Sequence, residues 1–206
     1  MRLIVSLGIA ALLSACAVTP GTYYSLSAPP PAGQGGAGPA TAGGVRFLRV
    51  RVPAEVERPQ LVVRRESSDT QVVLLNESLW AAPLGDQIQA ALAVRVSRTL
   101  GVPDLSQMVV PEGKPVREVT VQVSRFEMVF GQYASLEANW SEGTRPGPDT
   151  RLCQAALRVP VAGPGIAALV EGQRTAVGLL ADIIAARMSP AVAMPDDPAI
   201  QRNSCT

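Results

Sequence analysis

Three segments between Arg117 and Val161 alternate apolar and polar residues over ten or so positions each, and only short turns separate them. In the first, Val119, Val121 and Val123 share a face, but Phe126, Met128 and Phe130 fall on the opposite one. A period of two changes phase only where the backbone gains a residue or the burial changes sides. The flip near Ser124–Arg125 therefore predicts a bulge, or a strand buried differently at its two ends. The second segment, Tyr133 to Ser141, aligns Ala134, Leu136, Ala138 and Trp140. The third, Leu152 to Val161, follows a polar turn rich in Gly and Pro at 143–149. Long strands joined by short turns pair antiparallel, so this stretch sets the architecture: a sheet that needs a partner layer.

The remaining patterns supply that layer and further strands. Val45 to Val52 alternates, with Leu48, Val50 and Val52 on one face and Arg49 and Arg51 on the other. Pro53 and Pro59 bracket a turn, and Gln60–Arg64 with Gln71–Leu75 reads as a hairpin. From Ser78 to Leu100 the spacing predicts a helix, with Leu84, Ile88, Ala91, Leu92, Val96 and Leu100 on one face and Gly101 and Pro103 as the stop. Glu171 to Met188 is a second helix, with Val177, Leu180, Ala181, Ile184 and Met188 facing inward. The tail beyond Ser189, rich in Pro and Asp, reads as irregular. The expected fold is α+β: a mostly antiparallel sheet with two main helices packed against it, and no internal repeat.

The N-terminus carries an address. Arg2 precedes an apolar run from Leu3 to Leu13, interrupted only by Ser6 and Gly8, and then comes Leu13-Ser14-Ala15-Cys16. As a helix the run spans about 16 Å, roughly half the hydrocarbon thickness of a bilayer. It is a secretory signal, not a membrane span. The small residues before the cysteine match a bacterial lipobox, which assigns residues 1–15 to a lipoprotein signal peptide and makes Cys16 the lipidated residue. Diacylglycerol on its thiol and palmitate on its amine give the two or more chains that stable anchoring requires, each buried methylene contributing about 0.8 kcal/mol. Residue 17 is Ala where an Asp commonly marks retention at the inner membrane, so the expected address is the periplasmic side of the outer membrane. Residues 16–22 form a short tether, and 23–189 form the domain. Residues 28–44 hold four Pro, six Gly and no charge, which reads as a flexible loop.

Composition narrows the function. The chain has 206 residues, 18 Lys+Arg against 17 Asp+Glu, and no histidine. Removal of the signal takes Arg2 with it and leaves the charges level, without the basic excess of a nucleic-acid binder. Catalytic sites that need His, and His-ligated metals, are excluded within this chain. Lys114 is the only lysine, so a Ser-Lys dyad has one candidate. No Gly-rich phosphate cradle occurs, and nothing selects a catalytic pair among the carboxylates; Asp196-Asp197 reads as a solvated part of the tail. No metal, cofactor or catalytic residue is assigned, and the expectation is a non-enzymatic chain. Cys153 and Cys205 remain after Cys16 is acylated, and an oxidising periplasm permits a disulfide between them. The alternative is that Cys153, in phase with Ala155, Leu157 and Val159, is a buried small residue. Six arginines fall between residues 46 and 65. They read as a solvated strand face beside Glu55, Glu57 and Glu66, or else as a contact for lipid headgroups or an acidic partner.

Several of these residues also occur in a familiar order. Tyr23-Tyr24-Ser25-Leu26 is followed by Val52-Pro53-Ala54-Glu55-Val56-Glu57-Arg58-Pro59-Gln60-Leu61-Val62. Then come Leu79-Trp80-Ala81-Ala82-Pro83-Leu84, the strand Val121-x-Val123-x-Arg125-Phe126-Glu127, and Leu136-x-Ala138-x-Trp140. The chain resembles the ABC-type transport auxiliary lipoproteins, the PqiC-like or YmbA-like group. It departs from their pattern at Leu79 and Ala82, where Arg and Glu are usual, and in the length of the 28–44 loop. The resemblance implies an accessory lipoprotein of the outer membrane. Its partners would be an MCE-domain protein and inner-membrane transporter components, and its role lipid transport between membranes or envelope integrity. It leaves room for a homo-oligomer. A competing reading of another class is a structural or assembly lipoprotein, pilotin-like, of a secretion system.

Overall fold

The computed structural model describes residues 21–27, 43–110, 113–145, 147, 150–161 and 163–206. The lipobox with Cys16, and residues 28–42 of the Gly/Pro-rich segment, lie outside them. Among the described residues the order is β1 (Thr22–Tyr24), β2 (Gly44–Phe47), β3 (Gln60–Val63), β4 (Val73–Trp80), α1 (Leu84–Leu100), β5 (Val116–Val129), β6 (Tyr133–Arg145), β7 (Thr150–Pro160), α2 (Ile166–Met188) and β8 (Ile200–Cys205). The fold is α+β, as the patterns predict.

Five strands form the main sheet in the order β2-β5-β6-β7-β8, and three form a smaller one in the order β1-β4-β3. The long strands β5, β6 and β7 pair antiparallel. The phase flip in β5 is a bulge: the register against β6 shifts between Val123 and Arg125. The extra residue turns Phe126 and Met128 to the same side as Val119, Val121 and Val123, and all five are buried. Ala134, Leu136, Ala138 and Trp140 of β6 bury beside them. Against this face pack α1 and α2, each burying one stripe: Ile88, Leu92 and Val96 from α1, and Leu169, Leu180 and Ile184 from α2. No helix among the described residues is long and apolar enough to cross a membrane.

Beyond an earlier start of α2, at Ile166 and not Glu171, and a longer β6, to Arg145 and not Ser141, three boundaries differ from the sequence reading. The first helix begins at Leu84, not Ser78, because Ser78–Trp80 pair in parallel with Thr22–Tyr24 and finish β4. Pro83 lacks an N–H and biases its predecessor away from helical geometry, so the helix cannot start before it. The strand expected from Val45 to Val52 ends at Phe47, and Val45 and Phe47 point inward. Leu48 is 39% exposed, and regular pairing resumes only as a bridge from Arg51 to Gln122. The tail, expected to be irregular, returns as β8 and pairs antiparallel with β7.

Helix ends show how local chemistry fixes the layers. Gly101 takes a left-handed conformation (φ 65°) that closes α1, its N–H donating to the Arg98 carbonyl. α2 has no such glycine. Arginines serve instead: Arg117 donates to the Met188 carbonyl and Arg151 to that of Arg187 at 2.8 Å. Arg151 also pairs with Glu142 at 2.9 Å.

Burial pushes the Glu142 carboxyl up from its ordinary pKa, and the pull of Arg151, Arg117 and Arg187 in the other direction does not cancel it. One of its oxygens, Oε2, is buried without a partner. A group that holds its proton more tightly when folded favours the folded state below its ordinary pKa, and that contribution is lost as pH rises through the raised value. Glu142→Gln is therefore expected to match or exceed the parent in thermal stability at pH 7, with the gap closing toward pH 4. Melting curves across that range check the sign, and a variant weaker at pH 7 than at pH 4 relative to the parent contradicts it.

Candidate functional site

Segments far apart in sequence converge at the start of α1. Pro53 accepts hydrogen bonds from the N–H groups of Val56 and Glu57 and closes a turn that delivers Pro59 to the end of β4. There the Trp80 N–H donates to the Pro59 carbonyl at 2.7 Å, and the next N–H, of Ala81, donates to Tyr24 at 2.8 Å. The Trp80 ring meets Phe126 edge to face at 6.0 Å, so the bulged part of β5 forms its backing. Gly85 then passes so close to Val50 that a Cβ there would stand 2.7 Å from the Val50 carbonyl oxygen. Only a glycine lets the first turn of the helix close on the segment after β2.

Gln87 stitches the corner. Its amide accepts from the Leu26 N–H at 2.9 Å and donates to the Ala82 carbonyl at 2.7 Å, tying the entry of the chain to the helix start. The result is a cavity of about 330 Å³ with an apolar floor of Val50, Pro59, Trp80, Pro83 and Leu84. Arg49, Arg58, Glu57 and Asp86 line it with charge of both signs. Such a slot takes an apolar group and orients it by flanking charges, which is binding chemistry. Among the described residues no three His, Cys, Asp or Glu side chains gather to hold a metal ion.

Glu57, Arg58, Pro59, Trp80, Ala82, Pro83 and Leu84 of this slot come from the motifs that carried the sequence resemblance, and the family comparison agrees. Residues 24–185 match the model of the ABC-type transport auxiliary lipoprotein component. The chain belongs to this family. No curated protein matches it. Among solved structures it is similar to one described only as the crystal structure of an uncharacterized protein. That likeness has 22% identity and a TM-score of 0.64, covering 83% of this chain and all of the other. It is also similar to the protein XCC0632 from Xanthomonas campestris, of family DUF330. Here identity is 14% and the TM-score 0.61, with 81% and 95% of the two chains covered. At these identities the likenesses establish the shared fold.

In this auxiliary-lipoprotein domain the six arginines between residues 46 and 65 do not act as one group. Arg49 and Arg58 line the slot, whereas Arg46 and Arg64 pair with Glu118 and Glu127 of β5, not with Glu55, Glu57 or Glu66. Cys153 and Cys205 are register partners on β7 and β8, and their sulfurs are joined. Gln87 escaped the sequence reading, although a signal was there: it is a polar residue within the apolar stripe of α1, one position before Ile88. Gln173 sits equivalently in α2, fully buried and donating to the carbonyls of Glu127 and Ser135.

Proposed function

We propose that this chain is a periplasmic lipoprotein anchored to the outer membrane through Cys16, serving as an accessory component of an MCE-type system that moves lipid between membranes or maintains membrane integrity. The observation that carries the reading is the convergence of Pro59, Trp80 and Pro83 on one slot in a domain of the transport-auxiliary family. The role is non-enzymatic: the domain holds and connects. Its partners are an MCE-domain protein and the inner-membrane components of the transporter. The bridge between Cys153 and Cys205 forms in the oxidising periplasm and stays there.

The anchor provides the test. With Cys16→Ala the protein is expected to leave the outer-membrane fraction of a density gradient and appear in the soluble periplasmic fraction, because the acyl chains supply the anchoring and the mature chain has no net charge to replace them. The acylated parent, isolated from gently solubilised envelopes, is expected to bring an MCE-domain protein with it. A Cys16→Ala protein that still floats with the outer membrane, or a parent that recovers no MCE-domain partner, overturns the reading.

A further inference from the structure

Among the described residues the helices cover one face of the main sheet, and no helix packs on the other. On that open face the register places Glu118, Thr120, Gln122 and Arg125 of β5 beside Gly143, Ser141, Asn139 and Glu137 of β6. Its central side chains are neutral: Thr120, Gln122, Asn139, Gln154, Ser204 and Thr206 line a shallow depression of about 460 Å³, with Leu152 58% exposed at its side. Arginines crowd both ends. Arg46 and Arg145 flank Glu118, and Arg51 stands on the bridge to Gln122. At the other end Arg64 and Arg125 hold Glu127, and Arg125 and Arg202 hold Glu137. Arg158 lies over the Tyr133 ring at 4.1 Å.

Among the described residues, seven arginines are thus gathered here with three glutamates, an excess of four, while the whole chain is only one charge from neutral. A face of this sign, with a depression rich in hydrogen-bonding groups, complements an anionic partner. The spacing indicates which kind. Glu118 and Arg125 stand seven residues apart along β5, about 23 Å, a distance that an extended peptide with several carboxylates spans and a single lipid headgroup does not.

We propose that the open face of the main sheet docks an acidic segment of a partner protein, laid across the uncharged depression with its carboxylates at the two arginine clusters.

The acylated full-length chain, reconstituted in phosphatidylcholine vesicles, is to be titrated with a fluorescent twelve-residue peptide of alternating Glu and Ser. Binding is expected, weakening as salt is raised. The triple reversal Arg125→Glu/Arg158→Glu/Arg202→Glu is expected to lower affinity by about tenfold or more. The reversal Arg98→Glu/Arg174→Glu in the groove between α1 and α2 is expected to leave it unchanged. Should the triple variant fold poorly, Arg125→Gln/Arg202→Gln decides the matter, with a loss of about threefold or more expected. Equal affinity of the parent and the open-face variants overturns the proposal. So does loss of peptide binding by the parent when one third of the lipid is phosphatidylglycerol, since the bilayer is then the occupant. A failed Cys16→Ala test leaves the peptide result intact, so the two readings fail separately.

Discussion

Trp80→Ala is expected to destabilise the domain by about 3–5 kcal/mol, the usual cost of removing a large aromatic side chain from a core. Trp80 is only 4% exposed, although one edge of it forms the slot. Truncation opens a void beside Phe126 and removes the surface against which Pro59 and Pro83 are set. Its backbone still bonds to Pro59, so β4 keeps its register while the slot loses its floor. Urea unfolding followed by the fluorescence of Trp140, the only other tryptophan, measures the loss. Trp80→Phe keeps most of the packing and is expected to recover more than half of it. A Trp80→Ala protein within about 1 kcal/mol of the parent means the ring contributes little to the core, and the account of the slot fails with it.

Breaking the Cys153–Cys205 bridge is the second large effect. The bond closes a loop with a sequence separation of 52 residues, for which the chain-entropy model gives about 4 kcal/mol. Cys205→Ser is the informative variant, because Cys205 lies on the edge strand while Cys153 is 5% exposed in the core. The urea midpoint of the parent is expected to fall in reductant and that of the variant to stay where it is, at the lower value. Loss of β8 uncovers the edge of β7, so reduced material is also expected to aggregate at concentrations the oxidised protein tolerates. A parent whose midpoint ignores reductant shows that the tail is held by pairing alone.

The main sheet was legible because its signals are local. A two-residue period over three long segments identifies β5, β6 and β7, and the phase flip marks where the strand is irregular, while only the register against β6 decides for a bulge. Features that depend on distant pairing were not legible. β1 has three residues and pairs with a strand more than fifty positions away, so nothing near Tyr23 announces that pairing. The same pairing explains why Ser78–Trp80 was read as helix: apolar residues there continue the helical spacing by chance, and only Pro83 marks the true start. β8 offers no alternation, since Gln201, Arg202, Asn203 and Ser204 lie on an edge open to solvent, and Cys205 was its one hint. The slot falls between these cases. Pro59, Trp80 and Pro83 were individually visible, but their meeting depends on the turn at Pro53, on Gln87, and on the close pass of Gly85 under Val50.

The parallel pairing of β1 with β4 also decides how the domain bears a pull on the residues before Gly21. Tension along the strand axis loads all three register pairs, Thr22 to Tyr24, in shear at the same moment. Drag from the side peels them in turn, beginning at Thr22. Behind them the next hold is the bond from the Leu26 N–H to Gln87. The domain thus resists tension in line with β1 better than lateral drag, and the direction of a load, more than its size, determines whether that first strand yields.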